Sequence, residues 1–328
     1  MRALIQHTNR GPADLTLATD VPRPVPGPGE YLVRVGAAGV NFADVMQTYG
    51  TYRGGPTAPY PAGFEAAGEI VGAGPGIGQP LPSGTHVIGV GRGAFAQYMT
   101  MPAAEVLPVP DAWTDAEALG MVLNWATALA ALTTLGGLAS GETVVIHAAA
   151  GGVGQAAVRM ARHYGARVIA TASPAKHATV SALGADHVLD RSDPELAARI
   201  RALAPDGVDL VLESNGRTTF DTSLSVAKPF VGRVVVFGAA SGDARLTTHD
   251  LIFTHHAQLK GLHIGTLAQR APALYADLLT ELNSLIKQGV YPPGTPELHP
   301  LADGAEVLRR LEEGGTRGKL ALDPHRQE

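Results

Sequence analysis

The sequence predicts an α/β protein of two domains, a compact antiparallel β domain and a doubly wound parallel sheet. Three observations carry that expectation. Short strand patterns broken by Gly and Pro turns recur roughly every ten residues over about the first 115 positions. Beyond them strands and helices alternate. Within that alternation, residues 143–162 run from a buried strand (Val144, Val145, Ile146) through a glycine turn into an apolar-faced helix carrying Val158 and Met160.

Residues 2–6 predict a first strand, with 15–17 as its partner. Proline at 22, 24, 26 and 28 excludes helix and central strand from that segment, because proline lacks the N–H donor and fixes φ. Strand patterns follow at 31–35, 66–71, 85–90, 94–101 and 106–108, with a loop rich in Tyr, Gly and Pro at 49–61. Residues 115–135 read as helix, then strands at 144–147, 167–171, 187–189, 210–212 and 233–237 alternate with helices. The pattern closes with a strand at 263–264, helices at 271–288 and 302–313, and a strand at 319–322. The expected division is residues 1–118 with 262–328 in one domain and 119–261 in the other.

The balance of 25 basic against 30 acidic residues, net charge −5, argues against a nucleic-acid backbone partner, and no Lys/Arg run makes a local exception. With no cysteine, disulfides, thiolate zinc sites, iron–sulfur clusters and cysteine nucleophiles are excluded. The most apolar window, 119–138, carries Asn124, Trp125 and several threonines and glycines, so it predicts a buried helix and no membrane partner. Without a secretory h-region near Met1, a cytoplasmic location is expected. The adjacent His255 and His256 point to different helix faces, and no carboxylate spacing supports a metal site.

The glycine turn is the candidate binding element. Ala150, Gly151, Gly152, Val153 and Gly154 join the strand to the helix start, where unpaired N–H groups and the positive dipole end suit a pyrophosphate. Gly151 and Gly152 leave the backbone bare, and Gly154 lets the helix lie close on its strand. Ala149 stands at the first glycine of the dinucleotide pattern, so an ordinary Gly-rich turn is the alternative. An NAD site needs an acid about 20 residues further on, yet residues 155–185 contain none. The next strand ends instead at Thr171, Ser173 and Lys176, with Arg191 beyond, a set of donors and cations suited to a 2′-phosphate. NADPH is the expected cofactor.

Five segments together resemble the medium-chain dehydrogenase/reductase superfamily, in its zinc-independent quinone oxidoreductase (zeta-crystallin-like) branch. They are Gly39-Val-Asn41-Phe42-Ala-Asp44, Gly63-Phe64-Glu65, Gly93-Ala-Phe-Ala-Gln-Tyr98, His147-Ala-Ala-Ala-Gly-Gly-Val-Gly154 and Gly184-Ala-Asp-His187. The resemblance implies a GroES-like antiparallel β domain, a Rossmann domain, NADPH and a homodimer joined near the strand ending at Phe237. It sets Asn41 and Phe64 where zinc alcohol dehydrogenases carry Cys and His ligands, so no metal is expected. It also implies cofactor contacts for Asn41, Thr127, Asn215, Phe237, Gly238 and Lys319. Two positions depart from the branch: Met46 stands where a tyrosine is frequent, and Leu267 where some members place an arginine.

The expected chemistry is hydride transfer to a quinone or conjugated carbonyl, with Asn41 and Tyr52 as catalytic candidates. Reduction of activated C=C bonds in a 2-alkenal, enone or enoyl thioester is the alternative. A non-catalytic NADPH-binding protein is the alternative of another class.

Overall fold

The computed structural model describes residues 1–326. The chain forms two compact units, Met1–Val122 joined by the chain from Pro293 onward, and Leu123–Pro292. In order, the first unit holds β1 (Ala3–Gln6), β2 (Leu15–Ala18), β3 (Glu30–Val40), α1 (Phe42–Thr48), β4 (Tyr60–Pro61) and β5 (Glu65–Ala73). It continues with β6 (His86–Val90), β7 (Tyr98–Pro102), β8 (Val106–Pro108) and α2 (Asp115–Ala118). The second unit contributes α3 (Ala126–Leu129), β9 (Thr143–Ile146), α4 (Gly152–His163), β10 (Arg167–Ala172), α5 (His177–Ala182) and β11 (His187–Asp190). It goes on through α6 (Leu196–Leu203), β12 (Leu210–Glu213), α7 (Phe220–Val226), β13 (Arg233–Val236) and α8 (Thr248–Phe253). Its last elements are β14 (Gln258–Gly261), α9 (Ile264–Arg270) and α10 (Pro272–Lys287). The first unit then closes with β15 (Glu297–Pro300), α11 (Gly304–Glu312) and β16 (Leu320–Asp323).

In the first unit β3 is the spine. It pairs antiparallel with β5, β7 and β16, and its inward side chains Tyr31, Val33 and Val35 meet Phe95, Met99, Met101 and Leu320 in one core. Strands β1, β2 and β4 form a separate small antiparallel sheet. The GroES-like antiparallel expectation holds here.

The second unit is a six-stranded sheet, all parallel, in the order β11-β10-β9-β12-β13-β14. Its central strands read as continuous apolar runs because helices cover both faces; Val144, Val145, Val211, Val234 and Val235 are fully buried. Strand order reverses at β9, whose neighbours are β10 and β12. Open parallel sheets offer a crevice at the carboxyl ends of such a reversal, and the glycine turn leaves β9 at that point.

The structure corrects several expectations. The second unit extends to Pro292, not to residue 261. Leu278, Leu282 and Leu285 of α10 bury against α3 and α9, and the Tyr291 ring stacks face to face on Trp125, so this segment completes the second core. Residues 263–264 are not a strand. The His263 ring accepts from the Thr266 N–H at 3.0 Å and caps α9, while the strand is β14, four residues earlier. The helix predicted over 115–135 breaks after α2, where Gly120 turns at φ 95°, and it resumes with wide π-type turns on either side of α3. Strand β15 lies between the two helices expected at 271–288 and 302–313, where no strand was expected. Strand β13 is interior, flanked by β12 and β14, and the two free edges of the sheet are β11 and β14. Residues Asp115–Thr134 are apolar enough, by length and composition, to span a membrane, but 67% of the most apolar window is buried inside the protein.

Candidate functional site

Two groups of predicted residues take shape, one in each unit. In the second unit the turn after β9 is built on Ala148, held at φ 50° and accepting from the Gly151 N–H at 3.0 Å. A Cβ at Gly154 would lie 2.4 Å from the Ala148 carbonyl and 2.6 Å from the Ala149 Cα, so glycine is required for the helix to lie on the turn. A Cβ at Gly152 would press on the Asn124 side chain at 3.1 Å. Gly151 differs. Its only near neighbour would be the Ala148 carbonyl at 3.4 Å, so the missing side chain leaves open space at the α4 N-terminus. Ala150 is buried and its carbonyl accepts from the Gln155 side chain, and Val153 lies in the first turn of α4. No carboxylate occupies that first turn, so its positive dipole end is uncompensated there.

Beside it, Ser173 caps the short turn that carries Lys176, and Arg191 follows β11, its N–H bonded to the Ala172 carbonyl at the end of β10. Two acids at the ends of β11 are tied to backbone: Asp186 accepts from the Val168 N–H at 2.7 Å. Hydrogen bonds from the Ser192 N–H and hydroxyl hold Asp190 below the usual carboxylate range. Thr171 at the end of β10 is fully buried, with its hydroxyl 3.0 Å from His147 Nδ1.

His147 and Thr171 belong to a buried polar layer behind the turn, and its centre is a residue the sequence reading left unassigned. The Glu213 carboxylate, wholly buried at the end of β12, accepts from the Asn215 and Gly216 N–H groups and from the Thr219 and Ser223 hydroxyls. This fixes the loop bearing Asn215 at the carboxyl edge. Burial holds His147 below the ordinary imidazole range, so the ring beside Glu213 is neutral at pH 7. Thr127 is buried in α3, while Phe237 and Gly238 follow β13. Gly238 is a glycine by necessity, since a Cβ there would meet the Ser214 carbonyl at 2.5 Å.

In the first unit Asn41, Glu65 and Lys319 form one buried cluster. Asn41 Nδ2 donates to Glu65 Oε2 at 2.8 Å and Lys319 Nζ donates to Asn41 Oδ1 at 2.7 Å and to the same Glu65 oxygen. The other Glu65 oxygen accepts from the Gly120 N–H at 2.7 Å. Gly39 makes the room: a Cβ there would fall 2.4 Å from Glu65 Oε2. Asn41 also caps α1, its N–H bonded to Asp44 Oδ2 at 2.8 Å. Lys319, which taken alone reads as a surface lysine, is therefore an interior cation, and the amide ends of Asn41 are oriented by an ion pair. Tyr52 packs its ring on Phe64 with centroids 6.5 Å apart. Burial first, and the Asp44 charge second, raise the Tyr52 phenol, so it keeps its proton at pH 7.

Asp44 is buried, and its Oδ1 has no hydrogen-bond partner among the described residues. Burial pushes its carboxyl up to about 8. A folded-state value above the unfolded one means the protonated form stabilises at low pH, and that stability is lost as pH rises toward 8. Urea unfolding should show the protein losing about 2 kcal/mol between pH 6 and pH 8 relative to Asp44→Asn, which keeps the acceptor for the Asn41 N–H. Parallel pH profiles of the two proteins would remove this account of Asp44.

A reversal-point glycine turn on a parallel sheet, in a chain that also carries a unit of antiparallel strands, defines a dinucleotide-binding α/β class. Residues 27–111 match the family model "Alcohol dehydrogenase GroES-like domain" and residues 152–281 match "Zinc-binding dehydrogenase". The chain is 32% identical to the mouse synaptic vesicle membrane protein VAT-1 homolog over 320 residues, covering 92% of this chain and 78% of that protein. It is 37% identical to bovine prostaglandin reductase-3 over 229 residues, 70% of this chain and 60% of the relative. Escherichia coli quinone oxidoreductase complexed with NADPH superposes with a TM-score of 0.91 at 27% identity, covering 99% of this chain and 100% of that one. The chain belongs to the medium-chain dehydrogenase/reductase superfamily, in its quinone oxidoreductase-like branch. The zinc in the second model's description does not fit these residues. There is no cysteine, and among the described residues no three His, Asp or Glu side chains converge.

Proposed function

We propose that the protein is an NADPH-dependent reductase whose acceptor is a quinone. The observation that carries the reading is the glycine turn at the strand-order reversal, with open space over Gly151. Bound there, NADPH supplies a hydride from its nicotinamide ring. The protein's own share is placement and proton supply. Ala150, Gly151, Gly152, Val153 and Gly154 seat the pyrophosphate, while Ser173, Lys176 and Arg191 meet the 2′-phosphate. Thr127, Asn215, Phe237 and Gly238 line the nicotinamide end. Asn41, oriented by Glu65 and Lys319, positions the ribose or the acceptor, and Tyr52 gives its proton to the oxyanion growing on the acceptor. Similarity to prostaglandin reductase-3 favours a second reading, reduction of a C=C bond conjugated to a carbonyl.

NADPH absorbance followed with a small para-quinone and, in parallel, with a 2-alkenal is the test, each repeated with NADH. Fast oxidation with the quinone supports the first reading, and the reverse order moves the protein to the second. Equal use of NADH would remove the role given to Ser173, Lys176 and Arg191. Tight NADPH binding without turnover by either acceptor would point to a non-catalytic protein. Tyr52→Phe should lower kcat by about 100-fold on the preferred acceptor with little change in KM for NADPH; an unchanged kcat would exclude Tyr52 as the donor.

We also infer a cytoplasmic homodimer joined along β14. That edge carries the exposed Leu259, and Phe230, Val231, Ile252 and Phe253 are exposed apolar side chains of the same unit. Sedimentation should give a particle of twice 33.9 kDa; a 33.9 kDa particle at micromolar concentration would remove the dimer.

A further inference from the structure

A cleft of about 610 Å³ opens in the second unit at the carboxyl ends of β13 and β14. This is within the size range of small-molecule sites. Its wall is apolar where Val236, Phe237, Leu262 and Leu267 meet, and its polar groups stand along α9. Leu267 and Arg270 lie three residues apart on that helix, so they share a face. The His263 ring is engaged in capping α9, which leaves Arg270 as the permanent cation of the wall. Arg270 is exposed, and no Asp or Glu is among the residues lining the cleft.

An apolar wall ending at a cation, with no carboxylate among the lining residues, is complementary to one ligand chemistry. The wall removes an apolar body from water, and the guanidinium fork donates two parallel N–H bonds to an oxyanion. We propose that this cleft holds the acceptor and that Arg270 selects acceptors whose apolar body ends in an anionic oxygen group, a carboxylate or a phosphate. The proposal rests on the reductase reading and narrows its substrate class. A neutral quinone also enters the cleft but leaves Arg270 in water. Arg270 is a specificity residue, placed to grip the distal end of the acceptor and not its reducible group.

Phe237 and Gly238 border both this cleft and the proposed nicotinamide end, so the test is made on protein saturated with NADP⁺. Titration calorimetry compares dodecanoate, dodecyl phosphate and methyl dodecanoate, on the natural sequence and on Arg270→Gln. At least one anion should bind about tenfold tighter than the ester, and Arg270→Gln should abolish that advantage. The preferred anion identifies the head group. Methyl dodecanoate should bind the variant within about twofold of the natural sequence, since the ester has no anion for residue 270 to grip. An ester that binds as well as both anions would overturn the proposal, as would anion binding unchanged in the variant. So would loss of binding when NADP⁺ is present, because the cleft would then be cofactor space alone. If the Arg270-dependent preference holds while no acceptor is turned over, the reductase reading fails and the anionic-amphiphile site stands.

Discussion

Lys319→Met is expected to destabilise the first unit by about 3–5 kcal/mol, the cost of leaving a buried carboxylate without its cation. Glu65 is wholly buried and Lys319 is 11% exposed. With the ammonium gone, Glu65 keeps, among the described residues, the Asn41 amide and the Gly120 N–H as donors. Water cannot replace the lost donor without opening the sheet at Gly39, whose bare Cα sits against the pair. The double variant Lys319→Met with Glu65→Gln should recover most of the loss, to within about 1–2 kcal/mol of the natural sequence, because an amide carries no charge to strand. Each unit has one tryptophan, Trp113 in the first and Trp125 in the second. Urea unfolding followed by Trp113 fluorescence in a Trp125→Phe background therefore reads the first unit alone. If the single variant lost less than about 1 kcal/mol, the pair would be no more than a surface salt bridge in effect, and the orientation of Asn41 would need another cause.

This cluster also marks where a linear reading stops. Asn41 was legible because its neighbours form a local turn, and it does cap α1. Its partners were not, because Glu65 and Lys319 are 254 residues apart and nothing in either neighbourhood names the other. The glycine turn was legible for the opposite reason. Strand, turn and helix are contiguous, and the requirement for glycine at 154 arises from atoms only five and six residues away. The contact of Thr171 with His147 was not legible, because β10 is buried on both faces and its sequence has no polar alternation to say which way each side chain faces. The boundary at Pro292 was hidden in the same way. The apolar stripe of α10 says that it buries a face, but not against which core; its packing on α3 and α9, with the stack of Tyr291 on Trp125, assigns it. Glu213 escaped because four of its donors are backbone or hydroxyl groups of ordinary loop and helix residues, a pattern visible only once the chain is folded.

Gly151→Ala and Gly154→Ala should separate fold from binding, although they lie three residues apart in one turn. At Gly154 the added Cβ meets backbone atoms at 2.4 and 2.6 Å, and neither can move without shifting α4 from the turn. We expect Gly154→Ala to cost about 2–4 kcal/mol and to lower the melting temperature of the second unit. At Gly151 the backbone has φ −82°, open to any residue, and the Cβ finds only an ordinary contact at 3.4 Å. Gly151→Ala should therefore melt within about 1 kcal/mol of the natural sequence, the usual range for a change at a helix cap. The new methyl group instead fills the space in front of the α4 N–H groups, where a pyrophosphate oxygen would have to approach. NADPH binding, read by the enhancement of its fluorescence, should weaken by about tenfold or more while folding is kept. Unchanged NADPH affinity in Gly151→Ala would mean that the turn is a packing device and that the dinucleotide lies elsewhere. A folded Gly154→Ala with natural stability would show that α4 can retreat from the turn, and with it the geometry from which the cradle is argued.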